Sequence, residues 1–169
     1  PIYTLFPPTT LCRSSIRPID GLRMTLGGTL VGSKVTRTAL VSSPFGNEID
    51  ANGEPFPATP KWQLQADAEY SFPVSVKVSA YIGGNVSWRS GTTASFGSRQ
   101  GGPGTEDFFV IPGYALVDLR AGFEMDGYRV SVWGKNVLNK NYWQNVTHIY
   151  DVYDRITGMP ATYGISFSG

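Results

Sequence analysis

Residues 74–89 read VSVKVSAYIGGNVSWR. Val74, Val76, Val78, Ala80, Ile82, Val86 and Trp88 share one parity, and Ser75, Lys77, Ser79, Tyr81, Asn85, Ser87 and Arg89 share the other. A period of two is the mark of an extended strand with one apolar and one polar face. Strands in soluble domains usually have about five or six residues, and this run is far longer. The pattern recurs. Trp62, Leu64, Ala66, Ala68, Tyr70 and Phe72 alternate with Lys61, Gln63, Gln65, Asp67, Glu69 and Ser71. Ala115, Val117, Leu119, Ala121, Phe123 and Met125 alternate with Leu116, Asp118, Arg120, Gly122 and Glu124. Shorter versions run through 22–34 and 161–168, and 128–140 opens on Tyr128, Val130 and Val132. A further strand is expected near 10–17.

The connections alternate in length. Pro18-Ile19-Asp20-Gly21, Phe72-Pro73 and Asp126-Gly127 read as short turns, whereas 42–60, 90–112 and 141–160 are long and polar or rich in glycine and proline. Short turns at one end and long loops at the other, joining long strands, is the pattern of an outer-membrane barrel. The apolar face carries aromatics near the strand ends. Trp62 and Trp88 stand at the long-loop end, and Tyr70, Phe72, Phe123, Tyr128 and Phe167 at the short-turn end. Such girdles suit the two headgroup levels of a bilayer. The competing reading is a soluble β-domain whose apolar face is its core; it predicts folding in buffer without detergent.

Composition narrows the function. The 169 residues hold 14 Lys+Arg and 13 Asp+Glu, a net charge of +1. That balance offers no footprint for nucleic acid. There is one cysteine, Cys12, and one histidine, His148. No disulfide framework, zinc site or CxxC pair can be built from them, so no cofactor, metal site or catalytic residue is expected and the chain does not read as an enzyme. The longest apolar run, Phe108 to Val117, is broken by Pro112-Gly113, well short of a membrane-spanning helix. The chain begins at Pro1 rather than Met and reads as a processed product or a fragment. Gly101-Gly102-Pro103-Gly104 lacks the Lys-Ser/Thr pair of a phosphate-binding loop and reads as a loop tip. His148 lies near Tyr150, Asp151, Asp154 and Arg155, with no nucleophile motif beside it. Cys12 reads as a buried or lipid-facing small residue. The balanced charges Lys77, Arg89, Arg120, Asp67, Glu69, Asp118 and Glu124 read as cross-strand ion pairs on the polar face.

Four stretches carry a family resemblance. Thr59-Pro60-Lys61-Trp62-Gln63 leads into Ala66-Asp67-Ala68-Glu69-Tyr70; Ile111-Pro112-Gly113-Tyr114-Ala115-Leu116-Val117-Asp118-Leu119-Arg120 follows; then come Lys135-Asn136-Val137-Leu138-Asn139-Lys140-Asn141-Tyr142 and the tail Pro160-Ala161-Thr162-Tyr163-Gly164-Ile165-Ser166-Phe167. In this order and spacing they resemble the end of a TonB-dependent outer-membrane receptor barrel, over about residues 17–169. Residues 1–16 match poorly and are expected to hold one strand at most.

The resemblance implies an all-β, antiparallel transmembrane barrel segment of seven or eight strands, with short periplasmic turns and long extracellular loops. It implies a place in the outer membrane of a Gram-negative bacterium, against lipid, and uptake of a scarce ligand of the siderophore, cobalamin or glycan class. Family barrels have 22 strands around a globular plug, so an upstream barrel and plug polypeptide is expected as partner, and TonB through it. The loop residues Arg99, Gln100, Glu106, Asp107, Trp143 and His148 are the expected ligand contacts. Seven strands is an odd number for a closed single-chain barrel. Either another polypeptide pairs with the sheet, or Ile2 to Phe6 supplies an eighth strand and closes a small barrel with a structural role and no transport. Val78→Arg on the apolar face is expected to be costly, and Ser79→Arg, one residue along, mild.

Overall fold

The computed structural model describes residues 9–105, 107–149 and 152–169, and no described residue is helical. Seven long strands form one antiparallel sheet in the order β1-β2-β5-β6-β9-β10-β13. They are β1 (Thr9–Ile16), β2 (Leu22–Val31), β5 (Trp62–Pro73), β6 (Val78–Arg89), β9 (Tyr114–Met125), β10 (Tyr128–Lys135) and β13 (Thr162–Ser168). Three small two-stranded ribbons rise from the long connections. They are β3 (Leu40–Ser42) with β4 (Glu48–Asp50), β7 (Thr92–Thr93) with β8 (Val110–Ile111), and β11 (Trp143–Ile149) with β12 (Val152–Thr157).

The register keeps one parity on one face across the sheet. Leu26 pairs with Ala66, Ala66 with Val86, and Val86 with Val117. Ile82 pairs with Ala121, Ala121 with Val132, and Val132 with Ile165. This apolar face is largely exposed: Leu26, Leu64, Ile82, Val86, Leu119, Phe123, Val132 and Ile165 are all open to the surroundings. A soluble sheet hides such a face in its core, while a bilayer covers it with lipid. The rings lie at both rims as expected. Tyr70 stacks near Phe72 and Tyr128 near Phe167, with centroids 5.7 and 5.8 Å apart, at the short-turn end. From Trp62 to Phe72 is ten residue steps, about 33 Å of strand at about 3.3 Å each. A tilt of roughly 40° turns that into a band about 25 Å tall, the height of an outer-membrane barrel's apolar belt.

Local chemistry sets the strand ends. Asp126 and Gly127 have φ of 48° and 87°, and Tyr128 pairs directly with Met125. Two left-handed residues make the tight turn whose twist matches a hairpin, and Asp-Gly tolerates it. Residues 74–77 depart from the period-two reading. They form the β5–β6 turn, closed by the Val74 and Ser75 amides donating to the Val78 carbonyl, so β6 starts at Val78. Val76 is fully exposed there. Alternation in four residues cannot separate strand from turn when a proline without an N–H precedes them. Strand β10 likewise ends at Lys135 rather than near 140, because Asn136 takes a φ of 48°.

Strand β1 breaks the colour scheme of the sheet. Its register with β2 puts Thr10, Cys12, Ser14 and Ile16 on the apolar face and Leu11, Arg13 and Ser15 on the polar one. Cys12 is exposed on that outer face. Both sheet edges, β1 and β13, run in the same direction, since seven strands alternate between them.

Val78 stands at the very start of β6, so a mid-strand residue makes the sharper test of the faces. Ile82→Arg is expected to cost about 2–4 kcal/mol at the bilayer midplane. Gln65→Arg, mid-strand on the polar face, should stay within about 0.5 kcal/mol. Denaturant unfolding in lipid vesicles measures both; equal costs would refute the face assignment.

Candidate functional site

Four strands build a charged network on the inner, polar face. Arg120 on β9 donates from Nη1 and Nη2 to both carboxylate oxygens of Asp67 on β5, at 2.8 and 2.9 Å, and from Nε to Glu69 at 2.9 Å. Arg129 on β10 reaches Glu69 at 3.4 Å and lies 3.9 Å over the ring of Tyr81 on β6. Tyr81 is buried beneath it. The spans are possible because glycines leave room. A Cβ on Gly83 would stand 2.9 Å from the Ala68 carbonyl oxygen and 3.1 Å from Arg120 Nε. A Cβ on Gly122 would meet the Tyr81 hydroxyl at 2.7 Å. The alternation reading anticipates Arg120 with Asp67 and Glu69. It misses Arg129, whose place opposite the apolar Val130 parity was the available signal.

A second knot explains two of the quoted stretches. Asn136 is buried. Its amide donates to the Asp118 carboxylate at 2.8 Å, its side-chain nitrogen donates to the carbonyls of Lys140 and Met159 at 3.0 Å, and its side-chain oxygen accepts the Lys140 amide at 2.9 Å. Asn139 accepts the Ala161 amide at 3.0 Å. Asn also tolerates the left-handed backbone both positions adopt. So Asp118, expected in a cross-strand ion pair, accepts a backbone amide instead, and with Asn139 it joins β9, β10 and the approach to β13.

The long connections fold into a cap. Phe109, Ile111 and Val146 form its buried centre, with Phe45, Ala94, Phe108 and Trp143 packed around them. Phe109 meets Phe45, Tyr153 and His148 edge-on, with centroids 5.4, 5.5 and 6.1 Å away. Glu54 ties the first two loops together, accepting from the Gly97 amide at 2.8 Å and the Gln100 side chain at 3.0 Å. Asp50 closes the β3–β4 ribbon. Donation from the Ala39 amide, then that of Asn52, holds its carboxyl below the usual aspartate range. That contribution is present at neutral pH and is lost as pH falls through the lowered value.

The expected ligand contacts scatter over this cap. His148 is exposed and stacks on Tyr153 with centroids 4.7 Å apart. Trp143 is half-buried, with the Arg155 guanidinium 4.0 Å over its ring. Gln100 is held by Glu54, and Arg99 and Asp107 are exposed. Glu106, and with it Tyr150 and Asp151, lies outside the described residues. The structure brings Trp143 and His148 into one aromatic wall and does not bring Arg99 to it by any recorded contact. Phe109 and Tyr153, the centre of that wall, escape sequence reasoning because loops carry no periodicity to mark an inward ring. Among the described residues no group of His, Cys, Asp and Glu is arranged to hold a metal.

Comparison with known proteins agrees with the sheet. Residues 20–137 match the family described as TonB dependent receptor-like, beta-barrel. The chain therefore belongs to the β-barrel domain of the TonB-dependent receptors, a family of outer-membrane transport receptors. Among solved structures it is similar to BauA, the ferric preacinetobactin receptor of Acinetobacter baumannii, with a TM-score of 0.63 at 23% identity over 90% of this chain and 20% of that one. It is also similar to FyuA, the ferric yersiniabactin uptake receptor of Yersinia pestis, with a TM-score of 0.68 at 14% identity over 93% and 22%. FpvA of P. aeruginosa gives a TM-score of 0.59 at 21% identity over 94% and 19%. The chain thus spans about a fifth of the length of these receptors. A comparison with curated sequences found no match.

Two substitutions test the knots. Asn136→Ala is expected to lose about 2–4 kcal/mol, from buried hydrogen bonds and a left-handed backbone; Asn136→Gly should recover about 1 kcal/mol of that, the backbone share alone. Arg120→Gln is expected to cost about 1–3 kcal/mol, with strong coupling to Asp67→Asn in a double-mutant cycle of unfolding midpoints. Additive costs would show that the network is only a surface decoration.

Proposed function

We propose that this chain is the C-terminal part of the barrel of an outer-membrane uptake receptor, with ferric siderophores as the ligand class. The single observation that carries it is the open sheet. Among the described residues, seven strands form a barrel wall with two edges, β1 and β13, that have no strand partner and point the same way. In lipid each unpaired backbone group costs several kcal/mol, so these edges need partners. Direct closure of β1 on β13 would be a parallel pair. Strands that complete the wall antiparallel must begin and end in the opposite direction, an odd number of them, as the remaining fifteen of a 22-stranded barrel would be. Ile2 to Phe6, the alternative eighth strand, lies outside the described residues and is five residues long. A tilted strand needs about 9–11 to cross a bilayer.

On this reading the long loops are extracellular, the chain works with a plug and with TonB, and it binds and passes cargo rather than catalysing a reaction. The names of the similar structures support the siderophore class, and the aromatic wall of Trp143, His148 and Tyr153 with Arg155 suits an anionic chelate that offers flat surfaces. Arg99, Gln100, Glu106 and Asp107 remain proposed rim contacts.

The test is heat-modifiable migration of the protein extracted from outer membranes in mild detergent. The expected result is a compact species far heavier than this chain before boiling, whether it is one polypeptide or two. A compact band at 18.4 kDa would mean a self-closed small barrel and would overturn the transport reading.

A further inference from the structure

The tip of the β6–β9 connection is held more tightly than a solvent loop requires. Glu54, in the β2–β5 connection, accepts the Gly97 amide on Oε2 at 2.8 Å and the Gln100 side-chain amide on Oε1 at 3.0 Å. The backbone amide of Gln100 closes a turn on the Gly97 carbonyl at 3.0 Å. Gly97 has a φ of 69°, and a Cβ there would stand 2.6 Å from Ile49 Cδ1 and 2.9 Å from Ser43 Cβ. The turn is therefore pressed onto the β3–β4 ribbon. Ser98 is buried and bonds Ser95 twice: its hydroxyl donates to the Ser95 carbonyl at 2.6 Å and accepts the Ser95 amide at 3.1 Å.

Arg99 is the residue this turn carries outward. Its neighbours on both sides are pinned, and it is exposed with no ion pair among the described residues. Glu54 is not its counter-ion, because both carboxylate oxygens hold neutral donors. A charged acceptor makes those two bonds strong ones. The turn also abuts the aromatic cap. A Cβ on Gly101 would stand 2.7 Å from Phe45 Cζ, and Phe45 meets Phe109 edge-on. Phe109 is the centre of the wall that Tyr153 and His148 complete. A guanidinium on a fixed turn loses less freedom on meeting an anion than one on a loose loop.

We propose that Glu54 is a positioning residue for ligand recognition: it holds the 97–100 turn so that Arg99 stands on the cap as the cation that reads an anionic chelate. This rests on the reading of the chain as part of a siderophore receptor. Glu54 does not touch the ligand. Its own charge opposes an anion, so its value lies in the two bonds it accepts. The β2–β5 and β6–β9 connections then select the ligand as one body, tied a second time by the Ala58 amide donating to the Thr93 carbonyl at 2.8 Å.

The experiment uses the complete receptor in iron-starved cells with no other copy of it. Radio-iron is offered as a trianionic tris-catecholate chelate and as a neutral tris-hydroxamate chelate. The native receptor is expected to take up the anionic chelate at the lower concentration. Arg99→Gln and Glu54→Ala should each raise its half-saturating concentration about ten-fold, the order of one charged hydrogen bond. Maximal uptake and any uptake of the neutral chelate should stay unchanged. The two substitutions together should be no worse than either alone. Glu54→Gln still accepts the Gly97 amide, and Gln100 can turn its own amide over to keep the second bond, so most of the native affinity should return. Trypsin added to intact cells should cut after Arg99 several-fold faster in Glu54→Ala than in the native receptor or Glu54→Gln, with the barrel still migrating as a compact species. A half-saturating concentration unmoved by Arg99→Gln, or additive losses in the double variant, would overturn the inference. A preference for the neutral chelate would also overturn it and leave the siderophore reading standing. Uptake of neither chelate by the native receptor would overturn both.

Discussion

Lipid offers no hydrogen bonds. Every amide and carbonyl of a membrane-spanning strand must find its partner in a neighbouring strand. That constraint makes the sheet antiparallel and regular here, with unbroken registers from β1 to β13. It also makes the two edges the most informative places in the molecule. An edge in water can be guarded by charge or by a bulge. An edge in hydrocarbon has to be paired, so the odd number of long strands among the described residues fits a larger closed wall.

The inner face obeys the opposite demand. It meets water or protein, and its charges have to be satisfied laterally. Glycines make this possible. Without side chains at Gly83 and Gly122, Arg120 and Tyr81 lie flat across the wall instead of standing out from it. Arg120 can then bind two carboxylates on β5, and Tyr81 can serve as a platform for Arg129. Near the loops Arg89 lies over the Tyr114 ring, with no ion pair among the described residues. The long loops carry three short backbone ribbons, and one aromatic centre, Phe109, and the Glu54 carboxylate, which bridges two of them, add to their hold.

Much of the wall was legible in the order of residues. Six of the seven long strands announce themselves by parity, because each side chain along them has only two destinations, lipid or interior, of opposite polarity. The seventh, β1, does not. Thr10, Cys12 and Ser14 are small and polar enough to suit either side, and Leu11 turns inward. Only the pairing with β2 decides its faces. The turn at 74–77 shows the same limit in reverse, since alternating valines there belong to no strand.

The six alternating strands and their faces, the short and long ends and the family resemblance all follow from patterns within a few residues of one another, where polarity and turn chemistry act locally. The partnerships do not. Asp118 meets Asn136 across 18 positions, Arg120 meets Asp67 across 53, and Glu54 meets Gly97 across 43. Such contacts depend on which strands lie side by side and at what register, and no local preference carries that distance. The aromatic cap and the contact of Arg89 with Tyr114 therefore emerged only once the chain was folded.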